Sequence, residues 1–537
     1  MPVLTHRLRP LAVLVLMLAS AATVATPPAD LDARVVAAMQ AYDTPGFAVS
    51  IVEDGQVVHA RGYGVRRLGS ADRVDADTIF PTGSTGKAVT ATALAILVDD
   101  GKLRWDDKVI DHLPEFRMHD PWVTREMTVR DLLTHRSGLG LGAGDLLYVP
   151  RTTRSRADVV RALRHIAPAT SFRSGYAYDN ILYVVAGELT AKVSGLSWES
   201  FVRDRVFRAA GMDDSVTDEA DRFANPNRAH PHARLDGRLR GLGTQVVLPE
   251  REGLGQVAAP AGGLSSSAND LARWLQVQLA QGALPGGGEM WTPQVLMPVR
   301  IYPAPIADMT PQFASYALGW NVQDYRGVKT IQHGGAVFGV LTMVVLVPER
   351  KVGFALQMSS EDYPVMRGVM NELLDHYLGF PKRDWVAAFG EWNATRLADG
   401  VAALDAAAAT GASAAAGATG AVPAGARRRT QPALPLAGYA GSYIDAWYGP
   451  IAITPGRSGL RIDFSQSPGM AGALEHHAYD TFIARWDDAA IEPAYVTFNL
   501  DAEGKVARIT MKAVSPLADF SYDYQDLLFT PQAVAAP

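Results

Sequence analysis

The chain has 537 residues, a formal net charge of −6, 48% hydrophobic and 20% charged residues, and no cysteine. This length suggests two or three domains, and the apolar share supports a large core. So mild a charge gives no footing for nucleic acid or an anionic membrane surface. The lack of cysteine excludes disulfides, thiolate nucleophiles and thiolate zinc sites.

Residues 1–25 read as a segment outside the fold. His6, Arg7 and Arg9 precede the apolar run Leu11 to Leu18, and "ASAATVA" follows. These are the three regions of a secretory signal peptide. The run is shorter than the roughly 20 residues a membrane span needs, so no span is expected after cleavage and the location is periplasmic or secreted.

Residues 26–400 are expected to form the first domain. Its opening, "GFAVSIVEDGQVVHARGY", sets two apolar runs around Glu53-Asp54-Gly55 and reads as a hairpin. Next comes "FPTGSTGKAVTATALAILVDDGKL", a long apolar helix with Ser84 at its mouth and Lys87 one turn in. The positive end of the helix dipole disfavours charge on that lysine, and Ala88, Val89, Ala91, Leu94, Ile96 and Leu97 offer it little water. Three helical residues subtend about 300°, so Ser84 and Lys87 share a face. A serine is a weak nucleophile until a base takes its proton, and only a neutral lysine serves. Burial and dipole both push Lys87 that way. The backbone N–H of Ser84, at the helix start, is one half of a candidate oxyanion site. The plainer alternative is a serine cap followed by a surface lysine.

From about residue 105 to 300 the pattern is mostly helical, with Gly- and Pro-rich breaks. Within it, Tyr178-Asp179-Asn180 puts a tyrosine and an asparagine two apart, facing one way if extended. A tyrosine hydroxyl relays protons and an asparagine amide binds a carbonyl. His230 and His232 lack carboxylates at ligand spacing, so no metal is expected. Then "GVKTIQHGG" and "VFGVLTMVVLVPERKVGFALQM" read as strands. His333 and Gly335 alternate on the first of these, and a strand glycine often marks close approach of another backbone. A peptide-like substrate adds to such an edge as an extra strand, and the N–H of Ala336 is the candidate second oxyanion donor. A helix follows through Met366 to Leu378. Strands at both ends of the domain with helices between predict an α+β fold whose first and last strands meet.

Residues 401–434 are Ala/Gly-rich and are expected to be a flexible linker. Residues 435–537 alternate in short runs split by turn residues, which predicts a small antiparallel barrel or sandwich.

As an ordered set, Ser84-x-x-Lys87, Tyr178-x-Asn180 and His333-Gly334-Gly335 resemble the serine β-lactamase/penicillin-binding protein superfamily. Within it the chain is most similar to the class C β-lactamase and D-Ala-D-Ala carboxypeptidase branch. "TVRDLLTHRSGL", "AYDNILYVVAGELTAKVSG" and "APAGGLSSSANDLARWLQVQL" carry the resemblance through about residues 32–380. It implies an antiparallel sheet flanked by helices with a helical subdomain, and an acyl-enzyme mechanism without metal or cofactor. By the resemblance Ser84 is acylated, Lys87 and Tyr178 transfer protons, and Asn180, His333 and Gly335 bind substrate. Class C enzymes usually carry Lys-Thr-Gly where this chain has His-Gly-Gly, a pattern closer to carboxypeptidases, D-aminopeptidases and related esterases. A mostly neutral histidine gives a β-lactam carboxylate no fixed charge. The expected substrate is therefore a small peptide or amide, with D-amino acids in view. An ester or β-lactam hydrolase, a sensor that acylates without turnover, and an oligomer stay open. "LPLAGYAGSY", "YGPIAI" and "LEHHAYDTF" are similar to a lipocalin-like barrel appended in this branch. Tyr443, Trp447 and His476 are its candidates for facing the cleft, with core packing the plainer role. All three motifs precede residue 340, so the barrel is expected to tune substrate choice and not to supply chemistry.

Overall fold

The computed structural model describes residues 26–249, 254–280, 287–416, 431–456 and 459–532. The expected signal peptide lies outside these. The hairpin forms as predicted: β1 (Gly46–Glu53) and β2 (Gln56–Gly64) turn at Asp54 and Gly55, both with positive φ. Six more strands complete the sheet: β3 (Val295–Leu296), β4 (Ala314–Tyr316), β5 (Asn321–Tyr325), β6 (Val328–Val337), β7 (Val340–Val347) and β8 (Val352–Met358). Their order is β2-β1-β8-β7-β6-β5-β4-β3, each neighbour antiparallel. The first and last long strands do meet, with Phe47 opposite Met358.

Long helices cover both faces: α1 (Leu31–Ala41), α2 (Lys87–Asp99), α3 (Ile181–Ser194), α4 (Ala268–Leu279), α5 (Tyr363–Leu378) and α6 (Trp385–Ala416). β1 and β8 are buried along their whole length, which accounts for their unbroken apolar runs. Alternate residues serve opposite layers. Phe47, Val49, Ile51, Phe354, Leu356 and Met358 pack with Val35, Val369, Leu373, Trp385 and Phe389 of α1, α5 and α6. On the other face, Val52, Val344, Leu346 and Ala355 join the core that holds α2, α3 and α4. α2 is buried on all sides over its first eleven residues, as a helix apolar all round must be. Gly195 closes α3 in the left-handed conformation.

Between α2 and β3, among the described residues, α3, α4 and a continuous helical run from Trp198 to Ala210 are joined by shorter helical turns such as Asp145–Leu147. The structure departs from expectation in one place: the helix begun at Trp385 runs sixteen residues into the expected linker, to Ala416. Alanine is the best helix former, and buried Trp385 and Phe389 anchor the first turns on the sheet layer. The part of the linker at 417–430 lies outside the described residues.

β9 (Gly441–Asp445), β10 (Gly449–Gly456), β11 (Gly459–Asp463), β12 (Ala471–Ala478), β13 (Thr481–Trp486), β14 (Ala494–Leu500), β15 (Val506–Ala513) and β16 (Leu528–Pro531) form a closed barrel. Val496 and Phe498 point inward on β14. Tyr443 and Trp447 also lie in the barrel core, and half-buried His476 packs its ring edge-on against buried Phe482 while bonding the carbonyl of Tyr479 at 2.9 Å. These three take the plainer role. The barrel docks on the first domain: Thr153 N donates to Gln466 O at 2.9 Å, and the Arg154 guanidinium lies 4.5 Å from the Tyr448 ring centre.

Candidate active site

Ser84 sits in a 3₁₀ turn, Gly83–Gly86, that feeds directly into α2. This turn crosses β6 in backbone contact. A Cβ on Gly335 would stand 2.1 Å from Thr82 O and 3.0 Å from Ser84 N, and one on Gly83 would stand 2.6 Å from Ala336 N. Both positions must therefore lack a side chain, and Gly83 also has φ of 53°. The amides of Ser84 and Ala336 are thus neighbours across the contact. β5 pairs with β6 only as far as Gln332, so on that side no described strand pairs with residues 333–337.

Lys87 is fully buried. Its Nζ lies 3.0 Å from Ser84 Oγ, 2.6 Å from Asn180 Oδ1 and 2.7 Å from Ala261 O. The two carbonyl oxygens only accept, so a neutral amine donates both its hydrogens to them and turns its lone pair to the serine O–H. Burial lowers the lysine to about 7, against the opposing pull of Asp145 and Asp179. Tyr178 places its ring centre 4.9 Å from Lys87 Nζ, with its hydroxyl beside the Ser84 side chain. Burial, with Tyr176, Tyr183 and Asp145 near it, pushes its phenol well above the ordinary value. The hydroxyl therefore keeps its proton at neutral pH.

The structure brings all the sequence-predicted residues together, but gives two of them different surroundings from those expected. Both ends of Asn180 are occupied, Oδ1 by Lys87 and Nδ2 by Asp145 Oδ2 at 2.8 Å. His333 is buried, with Nδ1 2.7 Å from the Gly334 carbonyl and Nε2 2.9 Å from the Tyr316 hydroxyl. Nδ1–H donates and Nε2 accepts, which is the neutral ring. Burial and the nearby Lys87 hold it at about 3. At this point of β6 the group left for a ligand is the backbone edge, not the imidazole.

Several contributors were not among the expected site residues, although His135 and Asp179 lie within stretches that carry the resemblance. His135, with φ of 55°, lies with its ring centre 4.2 Å from that of Tyr178 and 4.4 Å from that of Tyr316, and its Nδ1 accepts from Asp179 N at 3.2 Å. Asp179, buried between the two motif residues, accepts from Ser137 Oγ at 3.0 Å. Asp145 is fully buried beside Asn180. The glycines of "GLGLGAGD" hint at a shaped loop there, but nothing in their spacing ties it to Lys87. Phe520 comes from the far end of the chain, its ring centre 5.8 Å from that of Tyr178 in edge contact. His232 is a satisfied core histidine, between Leu68 N at 3.0 Å and Ser359 O at 2.7 Å. No cluster of metal-ligating side chains occurs among the described residues.

Comparison with known proteins agrees with this architecture. Residues 31–379 match the family model described as Beta-lactamase, and residues 426–531 match a domain of unknown function, DUF3471. The chain is 27% identical over 493 residues to the "Unguisins hydrolase ungD" of Aspergillus violaceofuscus, covering 85% of this chain and 82% of that protein. It is 30% identical to the corresponding hydrolase of Aspergillus campestris over 59% of this chain, spanning 58% of that relative's length. It is 31% identical to "Penicillin-binding protein 4" of Amycolatopsis lactamdurans, over 59% of this chain and 81% of that one. Among solved structures, the octameric penicillin-binding protein homologue from Pyrococcus abyssi aligns with a TM-score of 0.57 at 20% identity, over 93% of this chain and 99% of that one. That likeness is one of fold. With sheet, helical region and family model in agreement over residues 31–379, the chain belongs to the beta-lactamase family of serine hydrolases and carries a closed eight-stranded barrel behind that domain.

Proposed function

We propose that the protein is an exported hydrolase of peptides or other amides that works through an acyl-enzyme on Ser84. The observation that carries this reading is the buried Lys87 amine, 3.0 Å from Ser84 Oγ and held at about 7. Neutral Lys87 takes the serine proton as Oγ bonds the substrate carbonyl carbon. The carbonyl oxygen gains the negative charge beside the amides of Ser84 and Ala336. The C–N bond then breaks, and the leaving nitrogen takes its proton from Lys87 through the Tyr178 hydroxyl. Water attacks the ester by the reverse path and frees Ser84. An extended substrate lies along the open edge at 333–337, which suits a peptide. Neutral His333 offers no fixed charge to a β-lactam carboxylate, which favours amide cleavage over efficient penicillin hydrolysis. The signal-like pattern before residue 26 supports export. Among the described residues no helix is long and apolar enough to cross a membrane.

The test is labelling by a fluorophosphonate or a fluorescent penicillin, read by intact mass. Wild type should carry one adduct on Ser84, and Ser84→Ala none. Lys87→Ala should slow labelling at least about 100-fold, the scale of general-base assistance. Equal labelling of Ser84→Ala would falsify the assignment. Turnover on a panel of D-peptides, L-peptides and esters separates a hydrolase from a sensor, whose adduct would persist.

A further inference from the structure

We propose that Asp145 is a positioning residue for the Lys87–Asn180 pair, and that the barrel segment Phe520–Asp523 completes its setting. This rests on the acyl-transfer reading above. The carboxylate of Asp145 accepts from Asn180 Nδ2 at 2.8 Å, Ser521 Oγ at 2.9 Å and Tyr148 Oη at 2.7 Å. The first of these fixes which way the Asn180 amide faces. Were it flipped, its NH₂ would meet the lysine and its oxygen would meet the carboxylate. Held as it is, Asn180 Oδ1 takes one Lys87 hydrogen at 2.6 Å and helps aim the amine at Ser84. Asp145 thus acts on the candidate base through one intervening side chain.

The barrel reaches this point with a built contact. Buried Asp523 accepts from Gly144 N at 2.7 Å and Leu146 N at 3.0 Å, the two amides flanking Asp145. Gly142, at φ of 70°, leaves room for the Phe520 carbonyl, which would stand 2.6 Å from a Cβ there. Ser521, between these two anchors, supplies its hydroxyl to the Asp145 carboxylate. A segment nearly 380 residues away in sequence therefore clamps the loop on both sides of Asp145 and gives its carboxylate a hydrogen bond. Burial pushes the Asp145 carboxyl up to about 7, against hydrogen bonds from Tyr148, Asn180 and Ser521 and the pull of Lys87. The other titratable groups around the pair are Tyr148, Tyr178, Asp179, His333 and Asp523. Asp179, and Asp145 where it is ionised, raise the lysine's proton affinity.

The experiment measures the second-order rate of Ser84 labelling by a fluorophosphonate from about pH 5 to about pH 9, with full-length wild type, Asp145→Asn and Ser521→Ala. Asp145→Asn should lower the plateau by at least about tenfold, the worth of one hydrogen bond to a charged group. It should also move the acid limb to lower pH, because Lys87 loses the negative charge that Asp145 carries where it is ionised, toward and above about pH 7. Ser521→Ala should move both in the same direction by less, since an unsupported Asp145 carboxylate protonates more readily. Ser521 is only partly buried, so this variant decides the matter if Asp145→Asn does not fold. Wild-type plateau and limb in both variants overturn the proposal, and a change confined to Asp145→Asn overturns the barrel's part in it. Failure of wild type to label at Ser84 overturns instead the acyl-transfer reading on which it rests.

Discussion

A fully buried lysine with two carbonyls for partners is a costly choice at residue 87. Holding it at about 7 instead of 10.5 corresponds to a penalty on the order of 5 kcal/mol while it is charged. The folded-state value lies below the unfolded one, so that penalty is complete below pH 7 and disappears as pH rises to the unfolded value. Lys87→Met should therefore raise the melting temperature at pH 6 by a few degrees and by less at pH 9, while abolishing Ser84 acylation. Thermal unfolding at the two pH values checks it, and an equal shift at both would refute the buried-charge account. By the same logic, wild-type acylation should climb through neutral pH as Lys87 loses its proton. A limb centred in the carboxylate range would point to a different base. At residue 333, His333→Lys should speed acylation by benzylpenicillin relative to a neutral ester, since it supplies the missing charge to the carboxylate. An unchanged ratio of the two rates would show that charge at this position is not what limits penicillins.

Two elements that never share a hydrogen-bonded ladder, the turn before α2 and the strand β6, meet backbone to backbone at Gly83 and Gly335. Their packing sets the spacing of the Ser84 and Ala336 amides. Gly335→Ala would place a methyl 2.1 Å from Thr82 O, and both sides of that contact are backbone, so turn and strand must separate. The expected result is a fall in acylation of at least about 100-fold, as for loss of an oxyanion donor, with circular dichroism unchanged. Near-wild-type acylation would mean the two amides do not act together. Gly86, one residue before α2, serves as a comparison, because a Cβ there meets only the side chains of Leu264 and Thr82, at 3.1 Å and beyond.

Across the whole molecule, the barrel stands closer to the chemistry than motif positions alone imply. Its core and the helical region form one continuous apolar cluster, and its segment at 520–523 contacts Tyr178, Gly142, Gly144 and Asp145. A chain ending at residue 416 should accordingly lose thermal stability and label poorly at Ser84, where the motif positions alone predict unimpaired labelling by a small ester. Phe520 is 38% exposed beside Tyr178, which suits a wall of the cleft. Phe520→Ala should raise cleavage of long peptides relative to short ones by about tenfold, the scale of a large change in an apolar pocket. The ratio of the two kcat/KM values measures it, and an unchanged ratio with normal Ser84 labelling would remove Phe520 from the cleft.

The sequence by itself determined the parts that depend on local spacing. Ser84 and Lys87 share a helical face because three residues nearly complete a turn. The hairpin at Asp54-Gly55 follows from turn chemistry, and the α+β class follows from strands bracketing helices. Tyr178, Asn180 and His333 were found through their order along the chain. Only the tertiary structure decided what surrounds them. Asp145, Tyr316 and Phe520–Asp523 carry no signature, because each acts through a neighbour far away in sequence, and a contact of that kind leaves no period or motif to read. The same holds for the two glycines, whose need to lack a side chain comes from a backbone some 250 residues distant. The burial of His333 between the Tyr316 hydroxyl and the Gly334 carbonyl, which leaves its ring no free nitrogen for a ligand, also belongs here. α6 marks the boundary from the other side: its alanines favour helix and are compatible with linker, and packing of Trp385 and Phe389 on the sheet layer decided between them.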